Sequence, residues 1–203
     1  MKSKRLNATL LAILMILFGG LGCVSAPNTI ENTVELSSEI KFTLTAPPVG
    51  LLSKTQTHLI ETTFNGKTQQ FITQAEYTDK QISLAAISVS GLPLFDFIWH
   101  EDKPLIVNQY VPLPSLDINY IIADLQWVNW PLVQLKRALI GTNIQVVEEQ
   151  SREVSNEGSR GWLRLVKQHN IVVLKIEKTD ERYHLENIQR KYSLDITDLS
   201  KEK

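Results

Sequence analysis

A change of hydrophobic period in mid-chain constrains this fold more than any other feature. From Lys54 to Tyr110 apolar residues recur at every second position. Ile118, Ile121, Ile122 and Leu125 then fall at i, i+3, i+4 and i+7, and from Ile144 to Ile196 the two-residue period returns. Alternation by two gives a strand one buried and one wet side, whereas the longer spacing marks one face of a helix. The pattern predicts strands, a helical pair, and strands again.

Turn chemistry divides the flanks. Thr57–Phe64 is followed by Asn65-Gly66, a hairpin signal, and the chain returns over Lys67–Thr78 with Phe71 and Ala75 on one face. Asp79-Lys80 turns it again; Gln81–Ser90 alternates and then shifts phase, and Gly91-Leu92-Pro93 interrupts. Leu94–Trp99 resumes, His100–Lys103 turns, and Leu105–Tyr110 pairs back. In the middle, Ser115 or Asp117 can cap the first helix. Pro131 suits the first turn of a second helix, lined by Leu132, Leu135, Ala138 and Leu139 and ended by Gly141, with the break at Asn129-Trp130. Beyond it come strands at Ile144–Glu149, from Trp162 to a turn at His169-Asn170, at Ile171–Glu177 with Val172, Leu174 and Ile176 on one face, at Tyr183–Asn187, and at Tyr192–Ile196. Ser155–Gly158 reads as a turn. Short connections imply an antiparallel meander. The predicted class is α+β: a strongly curved antiparallel sheet with two short helices against its concave face. A closed barrel with the helical segment as lid is the alternative.

The first 45 residues carry a different signal. Lys2, Lys4 and Arg5 precede the apolar run Leu10–Phe18, and Gly19-Gly20-Leu21-Gly22 leads to Cys23, the chain's sole cysteine. Charge, grease and small residues in that order make a secretory leader. A lone cysteine there has no intramolecular disulfide partner, so diacylation of Cys23 after cleavage before it is the reading with the fewest assumptions. The three residues before Cys23 displace the usual Leu by one position. Cleavage after Ala26 competes, though Pro27 hinders it; an uncleaved anchor competes too, but the run is shorter than the ~20 residues a span needs. Residues 1–22 are thus expected to be the signal peptide, 23–45 the lipidated N-terminus and a polar tether, 46–199 the domain, and 200–203 a polar tail. Val24-Ser25 lacks an inner-membrane retention Asp, which favours the outer membrane, facing the periplasm.

The residue inventory narrows the function. About 180 residues remain after the leader, enough for one domain with a core. No basic stripe or aromatic-interleaved basic run suggests nucleic acid. His58, His100, His169 and His184 are scattered, no Gly-x-Ser-x-Gly elbow is present, and no histidine pair has metal-ligand spacing. No catalytic residue, metal or cofactor is therefore expected. Trp99, Trp127, Trp130 and Trp162, with Phe95 and Phe97, read first as core and second as walls of an apolar cavity.

The run Ala123-Asp124-Leu125-Gln126-Trp127-Val128-Asn129-Trp130-Pro131-Leu132 resembles the middle of a bacterial lipoprotein family of unknown function encoded in aryl-polyene biosynthesis clusters. Gly91-Leu92-Pro93-Leu94-Phe95 and Tyr192-Ser193-Leu194-Asp195-Ile196 are similar to two of its strand motifs, and the resemblance spans roughly Ala46 to Leu199. Where members commonly turn with Asp-Gly, this chain has Glu101-Asp102-Lys103. The resemblance implies an outer-membrane lipoprotein beside enzymes that make a polyene-headed lipid. It also implies an unclosed half-barrel like the LolA and LolB lipoprotein carriers, with helices over a hydrophobic cavity.

Together these readings predict a non-enzymatic protein anchored to the membrane through a lipid on Cys23. It would bind or transfer an apolar ligand, a polyene lipid or another acyl-chain lipid, with Ile121, Ile122, Leu125, Trp127, Trp130, Leu132 and Leu135 lining its cavity. The alternative is an interaction module holding biosynthesis or export partners at the envelope. An open apolar cavity on the concave face, against one filled by its own side chains, separates the two.

Overall fold

The computed structural model describes residues 32–113, 117–151, 161–180 and 182–199. The leader, Cys23, Ser115, the Ser155–Gly158 turn and the tail from Ser200 lie outside the described residues. The strands are β1 (Thr33–Ser37), β2 (Ile40–Thr43), β3 (Thr55–Phe64), β4 (Lys67–Tyr77), β5 (Gln81–Ser88), β6 (Pro93–His100) and β7 (Lys103–Gln109). Helices α1 (Ile118–Asn129) and α2 (Leu132–Ala138) follow. After them come β8 (Leu139–Ile140), β9 (Ile144–Ser151), β10 (Gly161–Gln168), β11 (Ile171–Thr179), β12 (Arg182–Asn187) and β13 (Tyr192–Asp198).

Ten strands form one antiparallel sheet in the order β7-β6-β5-β4-β3-β13-β12-β11-β10-β9. The join between the two meanders is β3 with β13, where Ile60 faces Ile196. The end strands β7 and β9 do not pair, so the sheet is not closed into a barrel. With two helices beside it, this is an α+β fold of curved-sheet type, and the closed-barrel alternative is set aside.

Local chemistry explains the turns. Asn65 and Gly66 both have positive φ, 50° and 72°, as a two-residue hairpin that follows strand twist requires. His169 and Asn170 do the same between β10 and β11 at 49° and 67°. Asp117 caps α1, its carboxylate accepting the Asn119 N–H at 3.0 Å. Pro131 opens α2 with no amide to lose.

Three sequence expectations need correction. Residues 33–43, read as tether, form β1 and β2, and Val34, Leu36, Ile40, Phe42 and Leu44 are all buried. With β8 they make a second, three-stranded sheet packed beside α1, so the domain begins well before Ala46. Leu139 belongs to β8 and not to the second helix, because it pairs with Phe42 of β2. Opposite Val166 and Lys167 of β10, a bulge in β11 leaves Val173 unpaired; Val173 turns inward and Val172, expected on the buried face, is only half-buried.

Arg164 of β10 ties the helical pair to the sheet. Its guanidinium donates to the carbonyl oxygens of Trp127 and Trp130 at the end of α1, and to Glu148 Oε2 at 2.7 Å. A cation at a helix C-terminus satisfies carbonyls that the helix leaves open. Burial pushes this guanidinium's pKa down, and the Glu148 carboxylate opposes that.

Candidate functional site

A cavity of about 200 Å³ lies between α1 and the main sheet. Its sheet wall comes from inward-facing positions of β3, β4, β5, β6 and β13: Ile60, Phe71, Leu84, Phe95, Leu194 and Ile196. They share this wall because alternate residues of a strand point to one face, and the register sets Ile60 opposite both Phe71 and Ile196. Helix α1 supplies Tyr120, Ile121, Asp124 and Leu125, and Leu113 approaches from the segment after β7. The lining residues farthest into the sheet, Thr73, Leu84 and Phe95, are buried, whereas Phe64, Gln69 and Arg190 are exposed. The cavity therefore opens where the β3–β4, β5–β6 and β12–β13 turns lie.

Polar groups gather on the side nearest Arg190. Tyr192 donates its hydroxyl to Asp124 Oδ1 at 2.8 Å. Arg190 lies over the Tyr120 ring, 3.7 Å from its centroid, and donates to the Tyr120 hydroxyl, which in turn donates to the Glu35 carbonyl oxygen at 3.1 Å. Burial lifts the Asp124 carboxyl from 3.8 to about 7, although the Tyr192 hydrogen bond and Arg190 pull the other way. Burial also raises the Tyr192 phenol well above its usual value, with the neighbouring Asp124 charge adding to it. Thr73, deep in the wall, is the cross-strand partner of His58, which lies outside the lining; both are buried, and burial lowers the His58 pKa. The site can thus desolvate an apolar chain while offering hydrogen bonds near its opening.

Of the seven residues expected to line a cavity, the structure brings two into its wall, Ile121 and Leu125. Ile122, Trp127, Trp130 and Leu135 are at most 1 % exposed and fill a solid core elsewhere, while Leu132 is half-buried outside the wall. Trp127 packs on Phe42 at 5.1 Å between ring centroids, and Trp130 sits edge-on to Tyr77 at 5.8 Å. These indoles were placed by β1, β2 and β4, elements that the helix pattern does not see. The concave side is accordingly part cavity and part filled.

Much of the Ala123–Leu132 run is explained by packing. Gln126 is fully buried; its Oε1 accepts the Thr45 N–H and its Nε2 donates to the Thr45 carbonyl oxygen, both at 3.0 Å. Sequence reasoning missed Asp124, Tyr192, Arg190 and Tyr120 as a group. Asp124 and Tyr192 are 68 residues apart, and no local spacing joins them.

The histidines serve local roles. His184 Nδ1 lies 2.8 Å from Asp195 Oδ1 on the exposed surface, His100 Nδ1 accepts the Asp102 N–H, and His169 bonds Asn143. Among the described residues no cluster of three or more His, Cys, Asp or Glu is arranged to hold a metal ion, and no helix is long and apolar enough to cross a membrane. No curated protein matches the chain. Residues 55–200, most of its length, match the model of the family described as protein of unknown function (DUF3261), and the chain belongs to that family.

Proposed function

We propose that this protein is a non-enzymatic envelope lipoprotein, held by acyl chains on Cys23 at the periplasmic face of the outer membrane, that shelters or hands on an apolar ligand. The ligand class is a polyene lipid or another acyl-chain lipid, and the fold is read as a half-barrel of the LolA and LolB kind. One observation carries the reading: an apolar cavity of about 200 Å³ between α1 and the sheet, open at one end and flanked there by hydrogen-bonding side chains. An acyl chain entering it would leave water for contact with Ile60, Phe71, Leu84, Phe95 and Leu125, a gain of about 0.8 kcal/mol per buried methylene. Membrane anchorage would set this cavity beside the bilayer from which, or to which, the chain passes.

The test is organic extraction of the protein purified from its own envelope, followed by mass spectrometry. The reading expects a stoichiometric acyl or polyene chain, lost when Ile121→Asp sets a charge in the cavity wall. Lipid-free protein, or the same lipid yield from Ile121→Asp, would count against it.

A further inference from the structure

The hairpin tips around the cavity opening differ from those at the other end of the sheet. At the open end, Val89 and Leu92 in the β5–β6 turn are 60 % and 63 % exposed, Ile188 in the β12–β13 turn is 41 %, and Phe64 at the β3–β4 tip is 39 %. Phe64 also stands in the cavity wall, so the apolar rim and the cavity are continuous. The cations of these tips are Lys67, Arg190 and Lys191, and among the described residues no carboxylate lies within the three turns. Asp117, in the cavity wall nearby, is engaged at the start of α1. The opposite end is mixed: among the described residues its turns and the strand residues that follow them hold Asp79, Glu101, Asp102 and Asp180 against Lys80, Lys103 and Arg182, and no exposed large apolar side chain stands in those turns, Val49 lying in the segment that leads into β3.

Exposed apolar side chains on turns that carry cations and no carboxylate match a bilayer interface: the apolar tips enter the acyl boundary while the cations meet anionic headgroups. We infer that this rim is a docking surface for an anionic lipid bilayer, which it contacts with the cavity opening facing the membrane. Charge complementarity selects that occupant, and continuity with the cavity gives the contact its use. The inference rests on the proposed cavity function only for that use.

The chain's entry point sets the geometry of an anchored molecule. Asn32 is fixed at the opposite end, its side chain donating to the Glu101 carbonyl oxygen at 2.8 Å and accepting from Trp99. The stretch from Cys23 to Asn32 spans about 30 Å when extended, close to the ~30 Å of a ten-residue strand such as β3. A protein lipidated at Cys23 can therefore just lay the rim on its own membrane.

Among the described residues every buried core residue lies at Val34 or later, so the chain from residue 23 onward, carrying Cys23→Ser, keeps that core without an anchor. Its sedimentation with phosphatidylglycerol-rich vesicles and with pure phosphatidylcholine vesicles tests the proposal. Binding should favour the anionic vesicles; Lys67→Glu with Lys191→Glu should weaken it roughly tenfold or more. Val89→Glu with Leu92→Glu should abolish it at unchanged circular dichroism. Both variants should still take up a fluorescent acyl probe in solution. Loss of probe uptake with vesicle binding intact would strike the cavity reading and leave this one standing. Wild type that sediments with neither vesicle, or variants that sediment as well as wild type, would overturn the inference. So would dimerisation lost on Val89→Glu and Leu92→Glu, which would give the rim to a second copy.

Discussion

Asp124→Asn should stabilise the protein at neutral and alkaline pH, and by an amount that depends on pH. Asp124 is 7 % exposed, and burial raises its carboxyl from 3.8 to about 7. The folded state therefore holds one more proton than the unfolded chain between about pH 4 and pH 7. Unfolding free energy falls as pH rises through that window, and above it the carboxylate is buried at full cost. The difference corresponds to about 4 kcal/mol at most, and relaxation around the site brings it nearer 2–3 kcal/mol. Asparagine is isosteric, keeps an oxygen for the Tyr192 hydroxyl, and carries no charge to desolvate. Urea denaturation of both proteins from pH 4 to pH 8.5 isolates this group, since other carboxylates titrate alike in each. The variant should match wild type near pH 4 and exceed it by about 2–3 kcal/mol at pH 8. A difference independent of pH, or a less stable variant at pH 8, would refute the argument.

Other substitutions probe the frame of the site. Arg164→Leu should cost about 3–5 kcal/mol in urea denaturation, because the Trp127 carbonyl and Glu148 lose a buried cation; a loss below about 1 kcal/mol would show that the end of α1 does not depend on it. Gly141→Ala should cost about 1–3 kcal/mol, as Gly141 has φ 151° and an added Cβ would lie 2.5 Å from the Glu39 carbonyl oxygen; an unchanged melting temperature would contradict this. Cys23→Ser should abolish palmitate labelling and release the protein from membranes on washing with salt, and normal labelling would remove the lipid anchor from the account.

How far the sequence speaks depends on how local each cause is. The strands of the main sheet, the Asn65-Gly66 turn, the Asp117 cap and the helix break before Pro131 arise from neighbouring residues, and the structure places them where the pattern does. β1 and β2 escaped because five- and four-residue strands in a polar stretch leave a weak period, broken further by a register shift between Glu35 and Ser37. β8 escaped because its pairing with β2 overrides the helical spacing of Leu139. In the site, the stripe Ile121 and Leu125 was legible as one face of α1. The fate of Trp127 and Trp130 was not, since α1 is covered by more than the sheet and the small sheet takes Trp127 through Phe42. The Asp124–Tyr192–Arg190 group joins two distant elements, and only the fold brings it together.

The central claim is that the space under α1 holds an apolar chain. Its most direct test is a fluorescence titration of the Cys23→Ser protein with an environment-sensitive acyl probe, repeated with Ile121→Asp. The account predicts saturable uptake at one site by wild type, and its loss in Ile121→Asp while circular dichroism stays native. No saturable uptake by folded wild type, or undiminished uptake by Ile121→Asp, would contradict it.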